Sequence, residues 1–327
     1  MKISLLTPHS SGLGLANFYQ KEFQNIGVNA VIFPYTLSRF FSYFLRIDFL
    51  FRLIQGFVKI EFNKIIGFNP DLIIVFRGDL LNESRLTDLR KIGKIVCIYT
   101  DHPFVMPGNN VYKNMGSIAQ YDLIYTFSES LVPVFYQLGA KKVEYLPFGY
   151  AVDVHTQALS RVKKYDIVYF GSHGILQEFW LSKLIDFKLG IFGVGWSNAK
   201  NSNLKSLCVQ GKGFGREMPA VISESVLTFN MVRAEHGAFQ SMKTFELVAM
   251  GACVICHWSP EQESFFSEGE GVVYYKNESE LIEKVRFYLK NKDLVLEVIS
   301  KGLKKVKTHS YGARVSKVLE DHDGKLY

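Results

Sequence analysis

The chain has 327 residues, 48% of them hydrophobic and 21% charged, a balance that excludes a disordered or low-complexity protein. The length exceeds one small core and suits two α/β domains of about 150 residues each. The 38 basic and 31 acidic residues leave a net charge of +7, which suits an anionic ligand or an anionic membrane surface; no basic cluster interleaved with stacking aromatics and no zinc-finger spacing is present, which argues against nucleic acid.

The N-terminal MKISLLTPHS lacks the long apolar core and small-residue cleavage site of a signal peptide, so a cytoplasmic protein is expected. Residues 1–150 repeat one pattern: a short β-branched run, a polar or glycine turn, then a helical stretch. The runs are KISLLTP, NAVIFPY, DLIIVFRG from Asp71, KIVCIYTD from Lys94, DLIYTFS from Asp122 and VEYLPFG from Val143. With helices between them, these predict a doubly wound parallel sheet. The first strand ends in TPHSSGLG and a later one in IYTDHP, which sets His9, Gly12, Gly14, Asp101 and His102 at carboxyl ends of strands, where ligands of such sheets bind.

Between Leu37 and Phe68 the sequence is crowded with Phe, Leu and Ile, yet Arg46, Asp48, Arg52 and Lys59 interrupt it. Those charges rule out a membrane span and predict an amphipathic pair of helices. Such a pair suits either docking to a membrane surface or lipid-linked acceptor, or covering the N-terminal sheet or a dimer contact. The polar, unpatterned AVDVHTQALSRVKK marks a linker at residues 151–164.

From Tyr165 the same pattern restarts with YDIVYFGS, LGIFGVG, a short VQGKG, VLTFNM, ACVICHW and GVVYYKN, which predicts a second Rossmann-like domain over residues 165–308. Cys253 and Cys256 are three positions apart in an apolar strand, so they point to opposite faces and read as core residues rather than a metal or redox pair. In QSMKTFELVAMGACVICHW, residues 240–258, Ser241 or Thr244 can cap a helix reaching Met250, and Gly251 ends it. A helix start rich in free N–H groups is an anion site, and Lys243 adds a positive charge suited to a diphosphate. Glu246, one turn further on, is placed as an acceptor for two sugar hydroxyls. On geometry alone the segment also fits a capped amphipathic helix with an ordinary surface lysine.

The run K-T-F-E-L-x-A-x-G-A-x-V-I resembles the hallmark of the C-terminal domain of group 1 glycosyltransferases, in particular their CgeB-like branch. YDIVYFGS, GIFGVGW, SELIEKVRFYLKN and KGLKKVKTHSYGAR follow in the matching order, so the resemblance covers roughly the second half of the chain. It implies a GT-B fold: two Rossmann-like domains facing across a cleft, with a last helix, residues 309–327, crossing back to the N-terminal lobe and fixed by His309 and Arg314. It also implies a nucleotide-diphosphate sugar donor of UDP, GDP or dTDP type, held by the C-terminal lobe, and a glycan, lipid-linked or protein acceptor held by the N-terminal lobe. No cofactor or metal is normally required.

By position, the resemblance gives Lys243 to the diphosphate and Glu246 to the ribose, with Thr244 between them in the donor-binding set. Gly171 and Ser172 would let the donor approach the backbone, and Gly193 and Gly195 become candidates for a nucleobase wall or simply form a tight turn. Many retaining relatives carry a further glutamate eight positions earlier, where this chain has Ala238, with Glu235 out of register. Lys243 stands where the CgeB-like branch commonly has arginine, which loses the fork that grips phosphate with two hydrogen bonds. For catalysis, His9 oriented by Asp101 would serve an inverting enzyme as base, while His102 would contact the donor sugar in a retaining one. A sugar-nucleotide epimerase of the same shape and a non-catalytic sugar-nucleotide-binding module are the competing readings. TPHSSGLG lacks the full G-x-G-x-x-G spacing of a dinucleotide oxidoreductase.

Overall fold

The computed structural model describes residues 1–8, 14–38, 40, 53–78, 80–103, 115–160, 162–209, 215–231 and 240–323. The chain divides into two compact units, one of Met1–Pro147 completed by the segment that begins at Tyr311, the other of Phe148–Ser310.

The first unit holds β1 (Lys2–Thr7), β2 (Asn29–Pro34), β3 (Leu72–Phe76), β4 (Lys94–Tyr99), β5 (Leu123–Thr126) and β6 (Val143–Tyr145). They form one parallel sheet in the order β2-β1-β3-β4-β5-β6. All five residues of β3 are buried, as a strand covered on both faces requires, and this is why the run LIIVF carries no polar alternation. The order reverses direction between β1 and β3, so the loops that follow these two strands diverge and leave room at their carboxyl ends. The helix Tyr311–Asp323 belongs to this unit: Tyr311 stacks on Phe18 at 5.4 Å, Tyr125 donates its hydroxyl to Asp321 Oδ2 at 3.0 Å, and Arg314 Nε donates to the Pro147 carbonyl at 2.9 Å. Arg314 thus does bind the last helix back to the first unit. His309 instead packs edge-on against Phe245, Phe265 and Phe266 of the second.

The second unit holds β7 (Tyr165–Phe170), β8 (Leu189–Phe192), β9 (Cys208–Val209), β10 (Ser225–Asn230), β11 (Val254–His257) and β12 (Val272–Tyr275). Its parallel sheet runs β12-β11-β10-β7-β8-β9, with the reversal between β7 and β10. Alternate strand residues build a core on each face. Ile167, Tyr169, Leu227, Phe229 and Ile255 lie on one side, and Val168, Phe170, Val254 and Tyr274 on the other. Cys253 and Cys256 fall in opposite cores as expected, and burial pushes the Cys253 thiol up to about 12.

Each apolar run read from the sequence contributes a strand, although VQGKG supplies only Val209 and residues 210–214 lie outside the described residues. Residues 39 and 41–52 of the apolar segment 37–68 also lie outside them. Its described part contains the helix Phe62–Phe68, and Lys59 bridges to Thr36 just before the segment; Ile54, Val58 and Ile65 are buried while Leu53, Phe57 and Ile66 are exposed. Among the described residues no helix is long and apolar enough to cross a membrane.

Candidate functional site

The helix Met242–Ala249 lies between β10 and β11 in the chain. Ser241 occupies its N-cap position in an extended conformation, but no side chain caps from within the turn. Gln262, in the helix Pro260–Phe265, takes over that role: its Oε1 accepts from the Ser241 amide at 3.1 Å and from the Thr244 hydroxyl at 2.9 Å. Thr244 Oγ1 in turn accepts from Asn230 Nδ2 at 2.8 Å, at the carboxyl end of β10. The expected cap by Ser241 or Thr244 is therefore corrected. The Thr244 side chain is fully buried, and its hydroxyl ties the helix start to β10 and to Gln262. The far end of the helix is as expected: Gly251 adopts φ 79°, and the amides of Gly251 and Ala252 return to the carbonyls of Val248 and Leu247.

Lys243 and Glu246 are three positions apart and share one face of the helix. Lys243 Nζ lies 2.7 Å from Glu246 Oε2, with side-chain exposures of 25% and 5%. The other carboxylate oxygen, Oε1, faces His155 Nε2 at 3.7 Å. The Ala151 amide donates to His155 Nδ1 at 3.0 Å, which leaves the proton of the neutral ring on Nε2, the atom that faces Glu246. Burial holds the His155 pKa below its ordinary value, opposed by the Glu246 charge, so the ring is neutral near pH 7.

The loops after β7 and β8 are fastened to each other. The Gly171 amide donates to Phe192 O at 2.9 Å, the His173 amide to Val194 O at 2.9 Å, and the Trp196 indole to Gly171 O at 2.9 Å. A β-carbon on Gly193 would collide with the Gly171 carbonyl, so the close approach itself requires glycine there, and Gly195 takes φ 80° to turn into Trp196. Trp196 is buried beneath this layer, while Ser172 and Val194 are exposed at its surface. Glu178 holds the loops from behind: its Oε2 lies 2.8 Å from His173 Nε2 and its Oε1 accepts from the Asn201 amide at 2.6 Å. The His173 contact, with the Asn201 amide, keeps this carboxyl below the usual range.

Gly171, Ser172, Gly193 and Gly195 are thus brought together at the carboxyl ends of β7 and β8. Lys243, Thr244 and Glu246 form a second group beside the end of β10. Because β10 pairs with β7, Phe229 opposite Tyr169, the two groups occupy neighbouring strand ends at the reversal of the sheet.

In the first unit Asp101 and His102 follow β4 after Thr100. The described partner of Asp101 is Arg77, whose Nε lies 3.3 Å from Oδ2. Arg77 follows β3 with φ 70°, a left-handed conformation costly for a residue with a side chain and common at functional positions. Burial lowers the His102 pKa, which favours a neutral imidazole. His9, Gly12, Glu235 and Ala238 lie outside the described residues, so the expected pairing of His9 with Asp101 does too. Gly14 is the N-cap of the helix Leu15–Asn25.

Sequence reasoning passed over His155, Asn230, Gln262 and Arg77. Asn230 and Arg77 had a usable signal, since each is a polar residue at the carboxyl end of an apolar run. His155 and Gln262 had none in their neighbours.

Residues 174–320 match the family model described as glycosyl transferase-like. No curated protein sequence matches the chain. Among solved structures, HepE of Anabaena, determined with UDP and glucose, is similar at 12% identity over 99% of this chain and 100% of that one, with a TM-score of 0.68. Sucrose-phosphate synthase of Thermosynechococcus elongatus is similar at 11% identity over 99% of each chain, with a TM-score of 0.67. A glycosyltransferase of Rickettsia africae is similar at 14% identity over 99% and 98%, with a TM-score of 0.65. The chain therefore has the GT-B fold of two Rossmann-like domains, as the resemblance implied, and the family match falls on its second half.

Proposed function

We propose that the protein is a glycosyltransferase that moves a sugar from a nucleotide-diphosphate sugar to a glycan, lipid-linked or protein acceptor. The observation that carries this reading is the Lys243–Glu246 pair at the start of the helix Met242–Ala249, beside the reversal point of the second sheet. The first amides of a helix lack partners within it, and with a partly exposed lysine they favour a diphosphate. Buried Glu246 supplies acceptor oxygens for ribose hydroxyls. The loop of Gly171 and Ser172, braced by Gly193 and Gly195, offers backbone to the rest of the donor.

HepE was solved with UDP and with UDP-glucose, which supports a uridine donor as the first to try. Lys243 and the helix start offset the diphosphate charge, so transfer proceeds without a metal ion. His102 and His9, with Asp101, are the catalytic candidates of the first unit, where a neutral imidazole is able to take a proton from a hydroxyl. Placement in the CgeB-like branch, a cytoplasmic location and contact of residues 37–68 with an anionic membrane belong to the same reading.

The test is turnover of a panel of nucleotide sugars in EDTA, without and with candidate acceptors. Release or transfer of the sugar, lost in Lys243→Ala, is expected. Epimerised nucleotide sugar would instead identify an epimerase, and binding without turnover a non-catalytic module.

A further inference from the structure

Glu246 poses a problem for any donor that draws Lys243 away. Its side chain is 5% exposed, and a buried carboxylate that loses its counter-charge is strongly disfavoured. Of its two described partners, Lys243 is partly exposed on a flexible stem and free to turn toward an anion. His155 is not: its side chain is 3% exposed and its Nδ1 is pinned by the Ala151 amide.

We propose that His155 is a positioning residue for Glu246, holding Oε1 from behind so that Oε2 stays aimed at a ribose diol once Lys243 moves to the diphosphate. This rests on the donor reading above and deepens it: the nucleotide recognised is a ribonucleoside diphosphate in preference to its deoxy counterpart. The separation of 3.7 Å places Nε2–H within electrostatic reach, and a closure of about half an ångström or more makes it a hydrogen bond. Among the described residues the other charged groups that act on the ring are Lys243 and Asp153, and Asp153 is itself 3.8 Å from Arg216. The ring therefore sits between a carboxylate that it serves and a segment, residues 151–155, that fixes its direction.

Two variants separate service to Glu246 from service to that segment. His155→Asn keeps an acceptor for the Ala151 amide but is too short to reach Glu246. His155→Gln extends an N–H donor toward Glu246 and gives up the acceptor. Calorimetry with UDP and with deoxyuridine diphosphate then reads both binding and discrimination. We expect His155→Asn to weaken UDP by roughly tenfold and the deoxy nucleotide far less, and His155→Gln to recover UDP to within about threefold of wild type.

A ratio of UDP to deoxy affinity unchanged in His155→Asn, even with both weakened, overturns the proposal. Should His155→Asn fail to fold, His155→Leu replaces it, since it too has no donor for Glu246: an unchanged ratio in it overturns the proposal and a reduced one supports it. If the wild type binds neither nucleotide, the donor reading itself fails and this inference with it. If Lys243→Ala weakens UDP while His155→Asn does not, only the inference fails.

Discussion

Lys243 Nζ lies 2.7 Å from Glu246 Oε2, so the cation placed to meet a diphosphate is also the counter-charge of a buried carboxylate. Lys243→Ala should therefore lower stability as well as nucleotide affinity. Because Lys243 is a quarter exposed, the loss is set at about 1–3 kcal/mol rather than the larger cost of breaking a fully buried pair. Urea unfolding checks it, and the double variant Lys243→Ala with Glu246→Leu should recover part of the loss, since no buried charge is then left alone.

Gln262 Oε1 serves both the Ser241 amide and the Thr244 hydroxyl. Gln262→Leu keeps the volume but removes the acceptor from two donors at the helix start. The expected cost is about 2–3 kcal/mol in chemical denaturation. A loss within about 0.5 kcal/mol would mean that other groups satisfy them.

Gly193→Ala forces a β-carbon into the Gly171 carbonyl and must spread the two loops. A destabilisation of about 1–3 kcal/mol is expected, with weaker nucleotide binding although Lys243 and Glu246 are untouched. Thermal unfolding with and without UDP measures both effects.

His155 gives a pH signature. Burial lowers its pKa in the folded protein, so below its ordinary value of about 6.5 the unfolded chain binds the extra proton and the folded one resists it. Its contribution to stability is complete above that value and is lost as pH falls below it. Between pH 7.5 and 5 the melting temperature of His155→Asn should fall less steeply than that of the wild type; equal slopes would count against a buried neutral His155.

The fold was legible because parallel strands buried on both faces are written as uninterrupted apolar runs, as in LIIVF of β3. Gly251 was legible because a helix end in the left-handed region favours glycine. Lys243 and Glu246 could be placed on one helix face by spacing alone. Their support could not. His155 lies in a stretch whose polar composition reads as linker, yet it is buried in the fold and faces Glu246. Gln262 sits in PEQESF, which reads as an exposed helical turn, yet the fold turns this one amide inward against Thr244. Arginine carries no signal for the left-handed backbone that Arg77 adopts.

The most direct measurement is a crystal structure of the protein with UDP. The diphosphate should lie at the start of the helix Met242–Ala249 with Lys243 Nζ turned onto it, and the ribose hydroxyls should donate to Glu246. UDP bound away from this helix, with Lys243 still on Glu246, would contradict the assignment of the donor site.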